Sequence, residues 1–214
     1  MTTTLGESAH TAPARRHKIL IVGVGGQGVL TAAKLLGEAA HDAGAPVVVG
    51  QLHGMSQRGG SVDCSVLLGP GASSYLVGDA DVVVAFEPLE ALRALDRVGP
   101  ATRVIVSTTS VTPNALAKSG DGYPPLEGIL ARIREATPHV FSIDGPEIVR
   151  HAGLPRALNM AMLGALAGLG VLPFDGEKLW HALAQRCPPR YLDANRRAFE
   201  LGRDAVTHEG ARNG

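Results

Sequence analysis

The chain is poor in cysteine and in aromatic residues. Of its 214 residues only Cys64 and Cys187 are cysteines, and only 4% are aromatic. Two thiols cannot supply the four thiolates of an ordinary iron–sulfur cluster. Whether the two cysteines lie near each other stays open, and reduced thiols in a cytoplasmic protein are expected. The core must therefore be built from Val, Leu, Ala and Ile, which with many glycines suits helices packed closely on a parallel sheet.

The sequence also has no excess of positive or negative charge and no apolar run long enough to span a membrane. Twenty Lys and Arg balance twenty Asp and Glu, so nothing in the charge predicts binding to nucleic acid or to an anionic membrane. The longest apolar stretch, residues 160–172, is shorter than the roughly 20 residues of a membrane-spanning helix. Residues 1–17 lack the apolar segment of a secretory signal. We expect residues 1–17 and 207–214 to be disordered tails around one domain, residues 18–206.

The first informative motif is a short apolar strand that leads through glycines into a helix. Residues 19–22 are typical of a buried strand, and Gly23, Gly25 and Gly28 then match G-x-G-x-x-G. Such a loop allows close approach, and the free N–H groups at a helix start can bind an anion. Close packing of the helix on the strand is the alternative interpretation. The residues that would make a phosphate contact are Gly23, Gly25, Gly26, Gln27 and Gly28.

A dinucleotide site needs an acidic residue after the second strand, and the sequence has none there. The predicted strand, residues 47–49, is followed by Gly50, Gln51, Leu52 and His53, where an Asp or Glu would hold the ribose. We therefore expect no NAD site. A stand-alone nucleotide-binding module, regulatory or redox, that uses residues 23–28 for a phosphate stays open as an alternative function.

A second motif, HGMSQRGG over residues 53–60, predicts an irregular polar loop. His53, Gln57 and Arg58 stand close together in it, and such side chains can donate hydrogen bonds to a carboxylate or a phosphate. The alternative is a solvated connection without function.

The remaining pattern predicts a single Rossmann-like α/β domain, with a mostly parallel sheet, helices on both faces and a helical C-terminal part. Residues 61–68 alternate as a half-exposed, antiparallel strand would. A buried strand is predicted at residues 82–86, and further strands are predicted at 103–107 and 140–143. Since ligands gather at the carboxyl ends of strands in open α/β sheets, residues 23–28, 86–88 and 107–110 should share one edge. The hydroxyl run at 107–110 predicts either a polar crevice or ordinary turn caps.

The C-terminal third is predicted to be helical. Residues 157–172 are apolar nearly all round, and small residues such as Gly164 and Gly168 allow another backbone to approach. Asp144 and Asp175 are expected to cap helix starts. A last amphipathic helix is predicted over residues 190–206, with Tyr191, Ala198 and Leu201 facing inward.

Residues that would build a complete catalytic centre are not visible in the sequence. No metal-ligand cluster, P-loop or nucleophile elbow is present, and no catalytic residue is expected in this chain. The triplet Gly120-Asp121-Gly122 is not a thiamine diphosphate motif, because it lies in a proline-rich loop. The next asparagine downstream, Asn159, is also too far away.

The two motifs together identify a resemblance. GVGGQGVLTAAKLLGEAA followed by HGMSQRGGSV resembles the gamma-type subunit of 2-oxoacid:ferredoxin oxidoreductases, and within them the small (beta) subunit of the indolepyruvate enzymes. DVVVAFEPLEALR, NMAMLGA and NRRAFELG agree, so the resemblance covers residues 18–206. Gln51 departs from it, because many relatives have an acidic residue there.

The resemblance implies a subunit of an enzyme rather than a complete one. A larger partner would bind thiamine diphosphate, Mg²⁺ and [4Fe-4S] clusters and oxidatively decarboxylate an aryl 2-oxoacid, such as indolepyruvate. Coenzyme A would take the acyl group, and electrons would leave to ferredoxin. This chain would bind no cofactor alone and would place His53, Gln57 and Arg58 beside the partner's active site or the coenzyme A path. A purely structural subunit is a third possibility.

Overall fold

A computed structural model of the chain describes residues 16–53, 60–71, 76–111 and 122–210; side chains at 52, 53 and 208–210 are not described. Six strands form one sheet in the spatial order β2-β3-β1-β4-β5-β6. Strands β1, β4, β5 and β6 run parallel, and β3 is antiparallel to both β1 and β2. The predicted fold class and the antiparallel strand at residues 61–68 are confirmed. The strands are β1 (His17–Val24), β2 (Val47–His53), β3 (Ser61–Leu68), β4 (Val82–Ala85), β5 (Arg103–Ser107) and β6 (Val140–Ile143).

The hairpin of β2 and β3 is the main departure from a nucleotide-binding sheet. In such a sheet the second strand lies beside β1, whereas here β3 fills that place and β2 forms the outer edge. The physical reason is the connection of seven residues, 54–60, between β2 and β3. It is too short for a parallel crossover, which needs a dozen residues or more, so the chain turns back on itself.

Helices cover both faces of the sheet. On one face α2 and α3 pack on Val83 and Val104; on the other, α1 and α4 to α7 pack on Ile21 and Ile105. Within the described residues, no helix combines the length and the apolar character that crossing a membrane requires. The helices are α1 (Val29–Asp42), α2 (Pro88–Arg93), α3 (Leu126–Ala136), α4 (Gly145–Ala152), α5 (Leu158–Gly168), α6 (Gly176–Gln185) and α7 (Leu192–Gly210), with 3-10 turns at Leu95–Arg97 and Pro189–Tyr191.

Several helix ends differ from the prediction. Helix α5 stops at Gly168 rather than near 172, and the chain at Gly170 has φ 62°, outside the helical region. Tyr191 lies in a 3-10 turn and is 37% exposed, so the prediction that it faces inward is wrong. Helix α7 continues to Gly210, beyond the predicted start of a tail at 207.

Other local predictions hold. The side chain of Asp144 accepts from the Glu147 N–H at 3.0 Å, and that of Asp175 accepts from the Glu177 N–H at 2.9 Å, so both are N-caps. Cys64 and Cys187 are both free thiols.

Candidate functional site

The carboxyl ends of the parallel strands meet at one edge of the sheet, as predicted. Val22 lies beside Ala85, and Ala85 beside Val106, so residues 23–28, 86–88 and 107–110 follow neighbouring strands. The start of β3 joins them, because Ser61 is paired with Val24. The glycine loop, residues 23–28, and the hairpin loop, residues 54–60, therefore leave the sheet side by side.

The glycines of the first loop are required by its geometry. A Cβ on Gly23 would lie 2.7 Å from Val29 Cγ2 and 2.9 Å from Phe86 Cβ, closer than real side chains approach. Gly26 and Gly28 have φ of 107° and 91°, the left-handed region that favours glycine. Asn159 on α5 lies beside Gly28, 3.5 Å from where a Cβ would stand. The loop thus places the start of α1 tightly against β1, β4 and α5.

Gln27 braces this loop from inside. Its side-chain oxygen accepts from the Val24 N–H at 2.8 Å, and its amide nitrogen donates to the Phe86 carbonyl at 3.1 Å. The N–H of Gln27 returns to the Val24 carbonyl at 3.0 Å. Gln27 therefore ties the end of β1 to the end of β4, and its amide is engaged within the protein.

The start of α1 borders an open cavity. No side chain caps the helix at Gly28, and no acidic residue lies in its first turn. The first N–H groups of a helix have no partner within the helix, and they carry its partial positive charge. The cavity has a volume of about 380 Å³ and is lined by Val24, Gly25, Gly26, Gly28, Val29, Leu30, Thr31 and Val62. The side chains that line it are apolar except for that of Thr31, so polar contacts there would come mainly from the backbone.

The hairpin loop begins and ends at this edge. His53 is the last residue of β2 and faces Val62 in the ladder. The loop's other end is held by the Gly25 N–H, which donates to the Gly60 carbonyl at 2.9 Å. Gln57 and Arg58 lie outside the described residues. The structure thus brings His53 and the glycine loop to one edge, at the level of the backbone.

Two buried glutamates lie at the start of α2, next to the glycine loop and the end of the hairpin loop. Glu87 and Glu90 begin α2 and are 0% and 1% exposed. The hydroxyl of Ser61 donates to Glu90 Oε2, and Arg93 pairs with Glu90 Oε1. Burial raises the pKa of Glu90 above its usual value, and the Ser61 hydrogen bond and the Arg93 charge oppose that shift.

The carboxylate of Glu87 is also fully engaged. It caps α2 by accepting from the Glu90 N–H at 3.1 Å, and it accepts from the hydroxyl of Tyr123 and from the Val111 N–H at 3.3 Å. Burial, followed by the hydrogen bond to Glu87, raises the pKa of Tyr123 well above its usual range. The sequence placed residues 86–88 at the edge where ligands gather, but it did not predict the burial of Glu87 and Glu90. Their position after a buried strand, at the carboxyl edge, was the signal for a further role.

The hydroxyl run at residues 107–110 serves the fold. Ser107 is buried, its Oγ lies 2.8 Å from Thr109 Oγ1, and it accepts from the Thr109 N–H at 3.2 Å. Ser110 Oγ donates to the Thr108 carbonyl at 3.5 Å. These bonds are those of turn caps, the second of the two interpretations offered by the sequence. Among the described residues no group of three His, Cys, Asp or Glu side chains is placed to hold a metal ion.

Comparison with known proteins gives the relatives of the chain. The family model described as pyruvate ferredoxin/flavodoxin oxidoreductase matches residues 18–205. The indolepyruvate oxidoreductase subunit IorB of Methanothermobacter thermautotrophicus is 40% identical over 187 residues, which cover 87% of this chain and 95% of that protein.

Solved structures share the fold. The gamma subunit of keto/oxoacid ferredoxin oxidoreductase from Geobacter sulfurreducens has a TM-score of 0.69 at 23% identity, over 91% of this chain and 98% of that chain. The 2-oxoglutarate:ferredoxin oxidoreductase from Magnetococcus marinus, whose structure holds 2-oxoglutarate, coenzyme A and succinyl-CoA, has a TM-score of 0.70 at 22% identity. The match spans 90% of this chain but only 31% of that polypeptide, so there the fold is one part of a longer chain.

Proposed function

Because the chain belongs to the pyruvate ferredoxin/flavodoxin oxidoreductase family, we propose that it is the small accessory subunit of an indolepyruvate-type 2-oxoacid:ferredoxin oxidoreductase. The enzyme decarboxylates an aryl 2-oxoacid oxidatively and forms an acyl-CoA, with electrons passing to ferredoxin. The identity of 40% to a subunit named for indolepyruvate supports the substrate class. The reaction takes place on a larger subunit, to which this chain binds.

The cofactors of the reaction belong to the larger subunit in this proposal. Thiamine diphosphate with Mg²⁺ supplies the decarboxylation chemistry there, and [4Fe-4S] clusters carry the electrons. The two cysteines of this chain fall short of the four thiolates of one such cluster. Cys64 lies buried in β3, and Cys187 follows α6. This chain contributes a surface that binds and orients.

The observation that carries the proposal is the meeting of the glycine loop and the hairpin loop at the carboxyl edge. The Gly25–Gly60 hydrogen bond joins the two loops beside the uncapped start of α1. In open α/β sheets this edge is where ligands bind. We place it against the partner's active site, with His53, Gln57 and Arg58 next to the 2-oxoacid or the coenzyme A path, and with residues 25–28 holding the loop.

The proposed work of these side chains is recognition. A guanidinium such as that of Arg58 binds a carboxylate or a phosphate through parallel N–H donors. Gln57 and His53 would orient the same group by neutral hydrogen bonds. The glycine loop offers backbone N–H groups to an anion at the start of α1. All of these contacts hold a substrate in place, while bond cleavage proceeds on the partner.

The test is Arg58→Ala in the complex reconstituted with the large subunit. A hydrogen bond to a charged group contributes about 1.5–3 kcal/mol, so the KM for the 2-oxoacid or for coenzyme A should rise about 10-fold to 100-fold. Arg58→Lys keeps the charge but not the planar guanidinium, so its KM should lie between that of the native complex and that of Arg58→Ala. Arg132→Ala, a solvent-exposed arginine on α3, is the matched control. Unchanged KM values and turnover in Arg58→Ala would show that the loop touches nothing catalytic.

The uncapped start of α1 favours one other function, a nucleotide-binding module that acts alone. The strand order opposes it, because β3 occupies the place where a ribose-binding strand would lie beside β1. Calorimetry on the purified chain without a partner separates the two functions. A nucleotide-binding module should release or absorb heat on binding ATP or NAD. An accessory subunit should give no heat of binding with either nucleotide.

A further inference from the structure

The two buried glutamates of α2 need an explanation beyond helix capping. Moving a carboxylate out of water costs several kcal/mol unless its oxygens are satisfied. Glu87 and Glu90 are both essentially inaccessible, and they stand one turn apart on a helix of six residues. Two buried carboxylates add little stability to so short a helix. The hydrogen-bond partners of each carboxylate therefore indicate its role.

The partners of Glu87 border one connection. Val111, whose N–H donates to Glu87 Oε1 at 3.3 Å, is the last described residue before segment 112–121. Tyr123, whose hydroxyl donates to the same oxygen, lies two residues after that segment. One carboxylate oxygen of Glu87 therefore accepts from a residue on each side of segment 112–121.

The partner of Glu90 borders the other connection. Ser61 is the first residue of β3 and directly follows the hairpin loop, residues 54–60. Its hydroxyl donates to Glu90 Oε2, while the neighbouring Gly60 carbonyl accepts from Gly25. Arg93 satisfies the second oxygen of Glu90, and the Arg93 side chain is 54% exposed. The end of the hairpin loop is thus fixed on one side to the glycine loop and on the other to α2.

We propose that Glu87 and Glu90 are positioning residues that fix, from α2, the ends of the two connections at the carboxyl edge. Glu90 acts through Ser61 and fixes the residue at which β3 begins, directly after the hairpin loop. Glu87 acts in the same way through Val111 and Tyr123, the described residues on either side of segment 112–121. The kinetic consequence rests on the proposed function, whereas the anchoring itself does not.

The chemistry makes Glu90→Gln an informative change. Glutamine keeps the size and one acceptor oxygen, but its NH₂ group only donates. If the remaining oxygen stays with Arg93, the charge-assisted hydrogen bond from Ser61 is lost. Ser61→Ala removes the same hydrogen bond from the other end, at a half-buried strand position. The two changes should therefore act as one, and the double variant should be no worse than Glu90→Gln alone.

The first measurement is amide hydrogen exchange on the assembled complex, read at Gly25 and at residues 61–63. Glu90→Gln and Ser61→Ala should each speed exchange there about 10-fold, with β4 and β5 unchanged. Glu147→Gln, an exposed glutamate on α4, should change nothing. Unchanged exchange in Ser61→Ala, which removes the hydrogen bond itself and leaves Glu90 in place, would overturn the anchoring whatever Glu90→Gln does.

The second measurement is steady-state kinetics of the same variants. We expect the KM for the 2-oxoacid or coenzyme A to rise about 5-fold to 20-fold in both, with kcat within threefold of the native complex. If Arg58→Ala raises KM but these variants do not, the positioning role is wrong while the proposed function stands. If exchange quickens and neither Arg58→Ala nor these variants change KM, the anchoring stands and the recognition role proposed for the hairpin loop fails.

Discussion

Cys64 and Cys187 occupy opposite chemical environments. Cys64 lies in the core on β3, and burial, reinforced by the charge of Asp63, raises the pKa of its thiol to about 11. Cys187 is half-buried, and the Asn195 amide lies 3.0 Å from its sulfur as a donor. Since the thiolate is the reactive form, the two cysteines should differ strongly in reactivity.

We predict that one thiol of the native chain reacts quickly with Ellman's reagent at pH 8 and that two react in urea. Cys187→Ala should abolish the fast reaction, and Cys64→Ala should leave it intact. Two equally fast thiols in the native chain would contradict the burial of Cys64.

The raised pKa of Cys64 also makes the stability of the fold depend on pH. The folded chain holds the Cys64 proton more tightly than the unfolded chain, whose pKa is near the ordinary 9.0. The stability from this group is therefore complete below pH 9 and is lost as the pH rises from 9 toward 11. The free energy of unfolding should fall less steeply over that window in Cys64→Ala than in the native protein.

Residues of the site were predictable only where their role is local. The glycines at 23 and 28 follow from a short sequence pattern, and the structure uses them as expected. The burial of Glu90 depends on Ser61, which lies 29 positions away on a strand from another hairpin. No short pattern contains that pairing, so it could not be predicted from the sequence.

At the scale of elements, the tight pair of helices α5 and α7 is the clearest outcome. The small residues predicted to admit another backbone do so, and the backbone is that of α7 in the same chain. A Cβ on Gly164 would overlap the Phe199 carbonyl, and one on Gly168 would lie 2.7 Å from the Arg203 carbonyl. The pair closes one face of the sheet.

This contact predicts the sign of two glycine substitutions. Gly164→Ala should destabilise the chain by roughly 1–3 kcal/mol, because rigid backbone must move apart to admit a methyl group. Gly128→Ala, in α3 where no atom lies within 4 Å of the added Cβ, should stabilise it by about 0.5–1 kcal/mol through helix propensity. Urea unfolding of both variants measures the two values; a loss of stability in Gly128→Ala or none in Gly164→Ala would contradict the packing.

The elements themselves followed from periodicity, and their pairing did not. The buried parallel strands and most helices were predicted within a few residues. The place of β3 between β1 and β2 was not, because period-2 alternation predicts a strand without saying which neighbour it joins. The length of the 54–60 connection is the feature that decides the hairpin.

At the scale of the whole molecule, one edge of the sheet combines the glycine loop and the hairpin loop with the buried side chains of Glu87 and Glu90. The glycine loop, the hairpin loop and the start of α2 are held together by backbone hydrogen bonds and by the two glutamates. Such an arrangement suits a subunit that presents loops to a larger partner, in keeping with relatives that are themselves named as subunits.

The central claim is that this chain acts only as part of a complex, and one measurement tests it most directly. The chain is purified alone and together with the large subunit encoded beside it, and dye reduction that depends on both 2-oxoacid and coenzyme A is measured. We predict activity in the co-purified complex, with no turnover and no cofactor absorbance in the lone chain. Turnover, colour or bound nucleotide in the lone chain, or full activity of the large subunit without it, would contradict the account.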